Sequence, residues 1–90
     1  MKTIHKIEMP VDDETEIKIK GFCNFLKAGV QTAGHICLWY LVDTEDKKET
    51  ECVIVIKGTG HNCDDVFTNG YFDSVFGSRF VWHVFISVRR

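Results

Sequence analysis

Residues 58–61, Gly58-Thr59-Gly60-His61, are the ones whose types and spacing best suit chemistry. They follow directly on a strand candidate that ends at Lys57 and contains the apolar run Val53-Ile54-Val55-Ile56. Two glycines permit backbone conformations barred to residues with a Cβ. Successive N–H groups in such a turn can form a concave nest for an anion. Thr59 adds a hydroxyl donor and His61 a ring N–H. The combination suits a phosphate or a carboxylate. It is not a P-loop, because no Gly-Lys-Ser/Thr ending and no helix pattern follows. The same four residues also suit a tight structural turn with His61 packed on a neighbour.

Aromatic residues and arginines could complete such a site. Trp39, Tyr40, Phe80 and Trp82 can stack on a base, and Arg79, Arg89 and Arg90 can hold phosphate. The ligand-binding set assigned from the sequence is Gly58, Thr59, Gly60, His61, Arg79 and Trp82. Tryptophans in apolar strands are also core residues, and aromatic residues are enriched at protein interfaces.

Other chemistries fit less well. His35-Ile36-Cys37 and His61-Asn62-Cys63 are His-x-Cys pairs. Structural zinc sites show Cys-x(2–4)-Cys or matching His spacing, which is missing here. Cys23, Cys37 and Cys52 read as small buried hydrophobes and Cys63 as exposed. Cys63, His61 and Asp64 or Asp65 have the types of a nucleophilic constellation, but neighbours on one loop rarely converge. Ser74, Ser78 and Ser87 carry no surrounding signature. His83 reads as a core or interface histidine with its ring nitrogens satisfied. No catalytic residue, metal ligand or cofactor is assigned, and the chain is not expected to be an enzyme.

The elements that must position these residues are strands. Residues 2–9 can form a first strand, and the acidic stretch 11–15 a loop. Residues 16–20 alternate polar and apolar, the period of a half-buried strand. Residues 22–31 fit helix and strand spacing alike; Gly21 and Gly29 favour the strand. A turn at Thr32-Ala33-Gly34 leads into residues 35–43, which are apolar on both faces. Ile36, Leu38, Tyr40 and Val42 point one way; Cys37, Trp39 and Leu41 point the other. Residues 44–49 read as a charged hairpin tip joining this strand to a β-branched strand at 50–57. A polar loop at 62–69, a strand at 70–76, a tight turn at Gly77-Ser78 and a last strand at 79–88 complete the chain. The expected fold is all-β: one domain over 1–90, a small sandwich or partly open barrel of about six or seven mostly antiparallel strands.

Bulk properties limit the partners. The formal charge of −2 disfavours general nucleic-acid binding. No apolar run approaches the roughly 18–20 residues that span a bilayer, and no signal-peptide pattern opens the chain. A cytoplasmic location and four reduced cysteines are expected. Too many strands are apolar on both faces for ninety residues to cover, so a homo-oligomer is expected, against a closed monomeric barrel.

Three stretches carry a resemblance. They are Met1-Lys2-Thr3-Ile4-His5-Lys6 with Pro10-Val11, Cys37-Leu38-Trp39-Tyr40-Leu41-Val42-Asp43, and Gly58-Thr59-Gly60-His61 with Val81-Trp82-His83-Val84-Phe85. In these the chain resembles a family of short bacteriophage and prophage proteins. The resemblance implies a compact β domain, a phage gene and residence in the host cytoplasm. It carries no established activity and no catalytic residue. Small phage proteins without enzymatic motifs often act on the host. The expected function is therefore host-defence evasion by binding a small nucleotide signal. The alternatives are a protein-binding inhibitor of a host defence enzyme and a virion or assembly component.

Overall fold

Alternation along each strand decides which side meets the core. The computed structural model describes residues 1–11, 14–67, 70–77 and 79–89. Its strands are β1 (Lys2–Pro10), β2 (Glu14–Lys20), β3 (Phe22–Gly29), β4 (His35–Asp43), β5 (Glu49–Gly58), β6 (Tyr71–Phe76) and β7 (Val81–Arg89). They form two antiparallel sheets, β1-β4-β3 and β2-β5-β7-β6. The all-β expectation holds. Asp12, Asp13, Thr68, Asn69, Ser78 and Arg90, which figured in the expected loops, turn and phosphate contacts, lie outside the described residues.

The inward faces meet in one main cluster. Ile36 and Leu38 of β4 pack with Ile54 and Ile56 of β5 and Val84 of β7. A smaller cluster of Ile19, Phe22, Val42 and Cys52 fills one end. Burial there pushes the Tyr40 phenol pKa up.

The β3 pattern is ambiguous for a structural reason. Its pairing with β4 slips between Phe22 and Asn24 and again between Phe25 and Lys27. Each bulge adds a residue, so Phe22, Phe25 and Ala28 all face the core at intervals of three. The near-helical spacing is that of a twice-bulged strand.

The expected hairpin of residues 35–43 with 50–57 does not form. β4 pairs with β1 and β3, whereas β5 pairs with β2 and β7 in the other sheet. Residues 44–48 cross between sheets. Gly21, at the β2–β3 corner, stands between the two strand ends. Its N–H donates to the Lys48 carbonyl at 2.9 Å, and its carbonyl accepts from Asp43 N–H at 2.8 Å. Asp43 Oδ1 and Asp46 Oδ1 accept from the backbone N–H groups of Glu45 and Lys48. The Glu45 N–H bond is the main cause that holds the Asp43 carboxyl below its ordinary pKa. Apolarity on both faces thus marked β4 and β5 as inner strands of two sheets, not as partners.

The connection after β5 covers part of one outer face. β5 and β6 both run antiparallel to β7 and flank it. Ile54 and Ile56 point inward, so Lys57 points outward. Lys57 is only 7% exposed, and its Nζ lies 3.2 Å from Asp65 Oδ1. The chain itself therefore lies over this part of the sheet.

Asp73 joins the sheets on the β3–β6 side. Its Oδ2 accepts from Lys27 Nζ at 2.8 Å and Ala28 N–H at 3.2 Å; its Oδ1 accepts from Ser74 N–H at 2.9 Å. Burial raises the carboxyl pKa, but the bonds from Lys27, Ala28 and Ser74 outweigh it and hold the pKa below the ordinary value. A folded pKa below the unfolded one adds stability that is full above the unfolded value, near 4. That stability is lost as pH falls through the folded value. Asp73→Asn is expected to cost about 1–2 kcal/mol at neutral pH. It should also flatten the acid limb of stability against pH below about 4, read by urea unfolding at stepped pH.

Candidate functional site

The β6–β7 connection between Phe76 and Val81 is longer than the sequence suggested, and a cleft opens beside it. Phe76 pairs with Val81, and Gly77 N–H donates to the Phe80 carbonyl at 2.8 Å. Arg79 and Phe80 therefore stand in the turn, not in the strand. They project at the end of the sandwich where Val11 and the β3–β4 loop also arrive. Together these segments line a cleft of about 750 Å³. Its walls include Phe76, Arg79, Phe80, Trp82, His35 and Val30. Phe80 and Trp82 form a tilted ring pair with centroids 5.6 Å apart. Trp82 also packs on the main core, so one wall of the cleft is rigid. The Arg79 guanidinium makes no hydrogen bond or ion pair with any described residue.

Of the six residues assigned from the sequence, Arg79 and Trp82 line this cleft. The four-residue glycine turn stands behind Trp82 instead. Gly58 is the cross-strand partner of Trp82. His61 N–H donates to the Gly58 carbonyl at 3.0 Å, and Gly60 has φ 89°, which fits a type II turn. Gly58 N–H donates to His61 Nδ1 at 3.1 Å. Thr59 N–H donates to the Val81 carbonyl at 3.2 Å. Three of the four N–H groups are thus used within the fold, and the Gly60 N–H has no partner among the described residues. His61 meets Trp82 edge-to-face at 6.1 Å. A Cβ on Gly58 would come within 2.9 Å of the His61 ring. The motif therefore props Trp82 rather than forming a backbone nest.

The remaining candidates scatter. Trp39 lies on the outer face of its sheet, its ring 3.0 Å from where a Gly29 Cβ would stand. Tyr40 packs inward, edge-to-face with Phe25. Arg89 is at the far end of β7, opposite Glu51. Cys37 and Cys52 are buried, Cys23 is half-buried and Cys63 is exposed. Among the described residues no three His, Cys, Asp or Glu side chains could hold a metal ion.

One polar array satisfies both ring nitrogens of His83, as expected, through partners that the sequence reading did not name. Thr59 Oγ1 lies 2.8 Å from His83 Nε2, and Ser74 Oγ lies 2.9 Å from His83 Nδ1. Tyr71 OH lies 2.7 Å from Ser74 Oγ. A serine beside an imidazole has the types of a nucleophile and base. Here Thr59, not a carboxylate, takes the second ring nitrogen. By alternation His83 also faces away from the side on which Trp82 lines the cleft. Ser74 is the direct partner of His83 across the hairpin. A two-residue turn at Gly77-Ser78 would have displaced that pairing by two residues. The correct turn length was the missing signal.

A family profile described as a domain of unknown function, DUF7352, matches residues 1–90. The chain belongs to that family. No curated protein and no solved structure matches it. In this DUF7352 chain, function must be argued from the cleft itself.

Proposed function

We propose that this DUF7352 chain is a binding module whose loop cleft takes an anion joined to an aromatic ring, the chemistry of a nucleotide. The supporting observation is Arg79, without a protein partner among the described residues, beside Phe80 and Trp82 in the cleft of about 750 Å³. Arginine gives a phosphate two parallel donors in one plane. The Phe80–Trp82 pair offers a face for a base. Binding without turnover, in the phage setting the sequence resembles, amounts to sequestering a host nucleotide signal. The glycine turn contributes by holding Trp82 from behind.

A second reading has its own support. Phe76 is 78% and Phe80 60% exposed, an unusual aromatic rim for a free surface. That rim suits docking on a host defence protein. Native mass spectrometry of gently purified protein separates the two. An adduct of nucleotide mass in fixed stoichiometry is the result expected. Ligand-free protein, with no thermal shift on adding nucleotides, contradicts nucleotide binding and favours the protein partner.

A further inference from the structure

We infer that the free edge of β2 is a self-pairing surface, and that two copies of the chain join through it into one continuous eight-stranded sheet. β2 is an outer strand of its sheet, and among the described residues no strand pairs with its second edge. Of the other three edges, β3 carries two bulges, β6 is bulged and sits beside β3 through Asp73, and β1 ends in a proline, Pro10. β2 has neither proline nor glycine, and its register with β5 is unbroken over Glu14–Lys20.

Its charges are ordered. Ile17 and Ile19 face the core, so Glu14, Glu16, Lys18 and Lys20 share the outer face. Within the chain the basic half lies opposite Glu51 and Glu49, with Lys18 Nζ 3.9 Å from Glu51 Oε1. The acidic half lies opposite Val55 and Val53. Glu14 and Glu16 make no ion pair with any described residue.

An antiparallel second copy related by a two-fold axis at Ile17 supplies what is lacking. Glu16 then stands opposite Lys18 of the other copy, and Glu14 opposite Lys20. By symmetry all four charges on each copy are matched. A slip of two residues either way puts Glu16 opposite Glu16 or Lys18 opposite Lys18. A slip of one turns the isoleucines outward. One register satisfies both the charges and the faces. The inference is independent of the cleft, which lies at the end of the sandwich.

The test is sedimentation velocity on the wild-type chain and three variants, with far-UV circular dichroism to verify folding. The wild type should be a dimer whose association weakens with salt. Glu16→Lys and Lys18→Glu each set like charges opposite one another twice, and each should weaken dimerisation by about tenfold or more. The double variant Glu16→Lys/Lys18→Glu restores opposite charges and should regain the dimer. Mixing the two single variants should give a heterodimer. A wild type that stays monomeric up to about 1 mM overturns the inference, and would leave the edge to a strand of another protein. A dimer that the single reversals leave unchanged overturns it as well.

Discussion

Gly21→Ala is expected to cost about 3–5 kcal/mol, a large part of the roughly 5–13 kcal/mol that a chain of this length has. Two effects add. Gly21 has φ 72°, where a residue with a Cβ pays roughly 1 kcal/mol. The new Cβ would also overlap the Asp43 carbonyl oxygen, a backbone atom. Asp43 cannot withdraw without breaking its 2.8 Å bond to Gly21, and the Gly21–Lys48 bond is strained with it. The corner ties β2, β3, β4 and β5 together, so both sheets lose their join. Gly34→Ala is the control. Gly34 has φ 80°, but nothing lies within 4 Å of its missing Cβ. It should lose about 1 kcal/mol, from conformation alone. Thermal unfolding checks both. At roughly 4–8 °C per kcal/mol, Gly21→Ala should lower Tm by more than about 12 °C and Gly34→Ala by less than about 8 °C. Equal losses at the two positions would show that the corner is not the join described.

Arg79→Ala is expected to weaken nucleotide binding about ten- to a hundredfold while leaving stability unchanged. A hydrogen bond to a charged group contributes about 1.5–3 kcal/mol, and the anion would lose the one guanidinium that lines the cleft among the described residues. Arg79→Lys should recover part of the loss, because it restores the charge but not the planar pair of donors. Arg79 is exposed in a turn and has no partner among the described residues, so neither change should move the urea midpoint. Titration calorimetry on the variants reads the binding, and an unchanged Kd in Arg79→Ala would remove Arg79 from the site.

Strand content was legible because alternation and β-branched runs report local backbone directly. Residues 35–43 and Val53-Ile54-Val55-Ile56 show it most clearly, and even the ambiguous 22–31 stretch is a strand over Phe22–Gly29. Pairing was not legible. A strand such as β4 that is apolar on both faces announces an inner position but not its neighbours. The bonds that redirect the chain at residues 44–48 come from Gly21, more than twenty residues away. Site residues were half legible. Arg79 and Trp82 stood out by type, and the turn at 77–80 places them in one cleft. The glycine motif looked like an anion nest because two glycines beside a histidine suit either role. Only the bonds that the Gly58, Thr59 and His61 N–H groups donate show that three of its four donors are used internally.

The most direct test of the cleft uses the two tryptophans. Trp82 lines the cleft, and Trp39 lies on the outer face of the other sheet. Each gives one indole N–H signal in a nitrogen–proton correlation spectrum, so the chain carries its own probe and control. Titrating mononucleotides and cyclic dinucleotides into labelled protein should move the Trp82 signal saturably and leave Trp39 in place. A Trp82 signal that stays fixed at millimolar nucleotide, or a shift confined to Trp39, would contradict the cleft as the binding site.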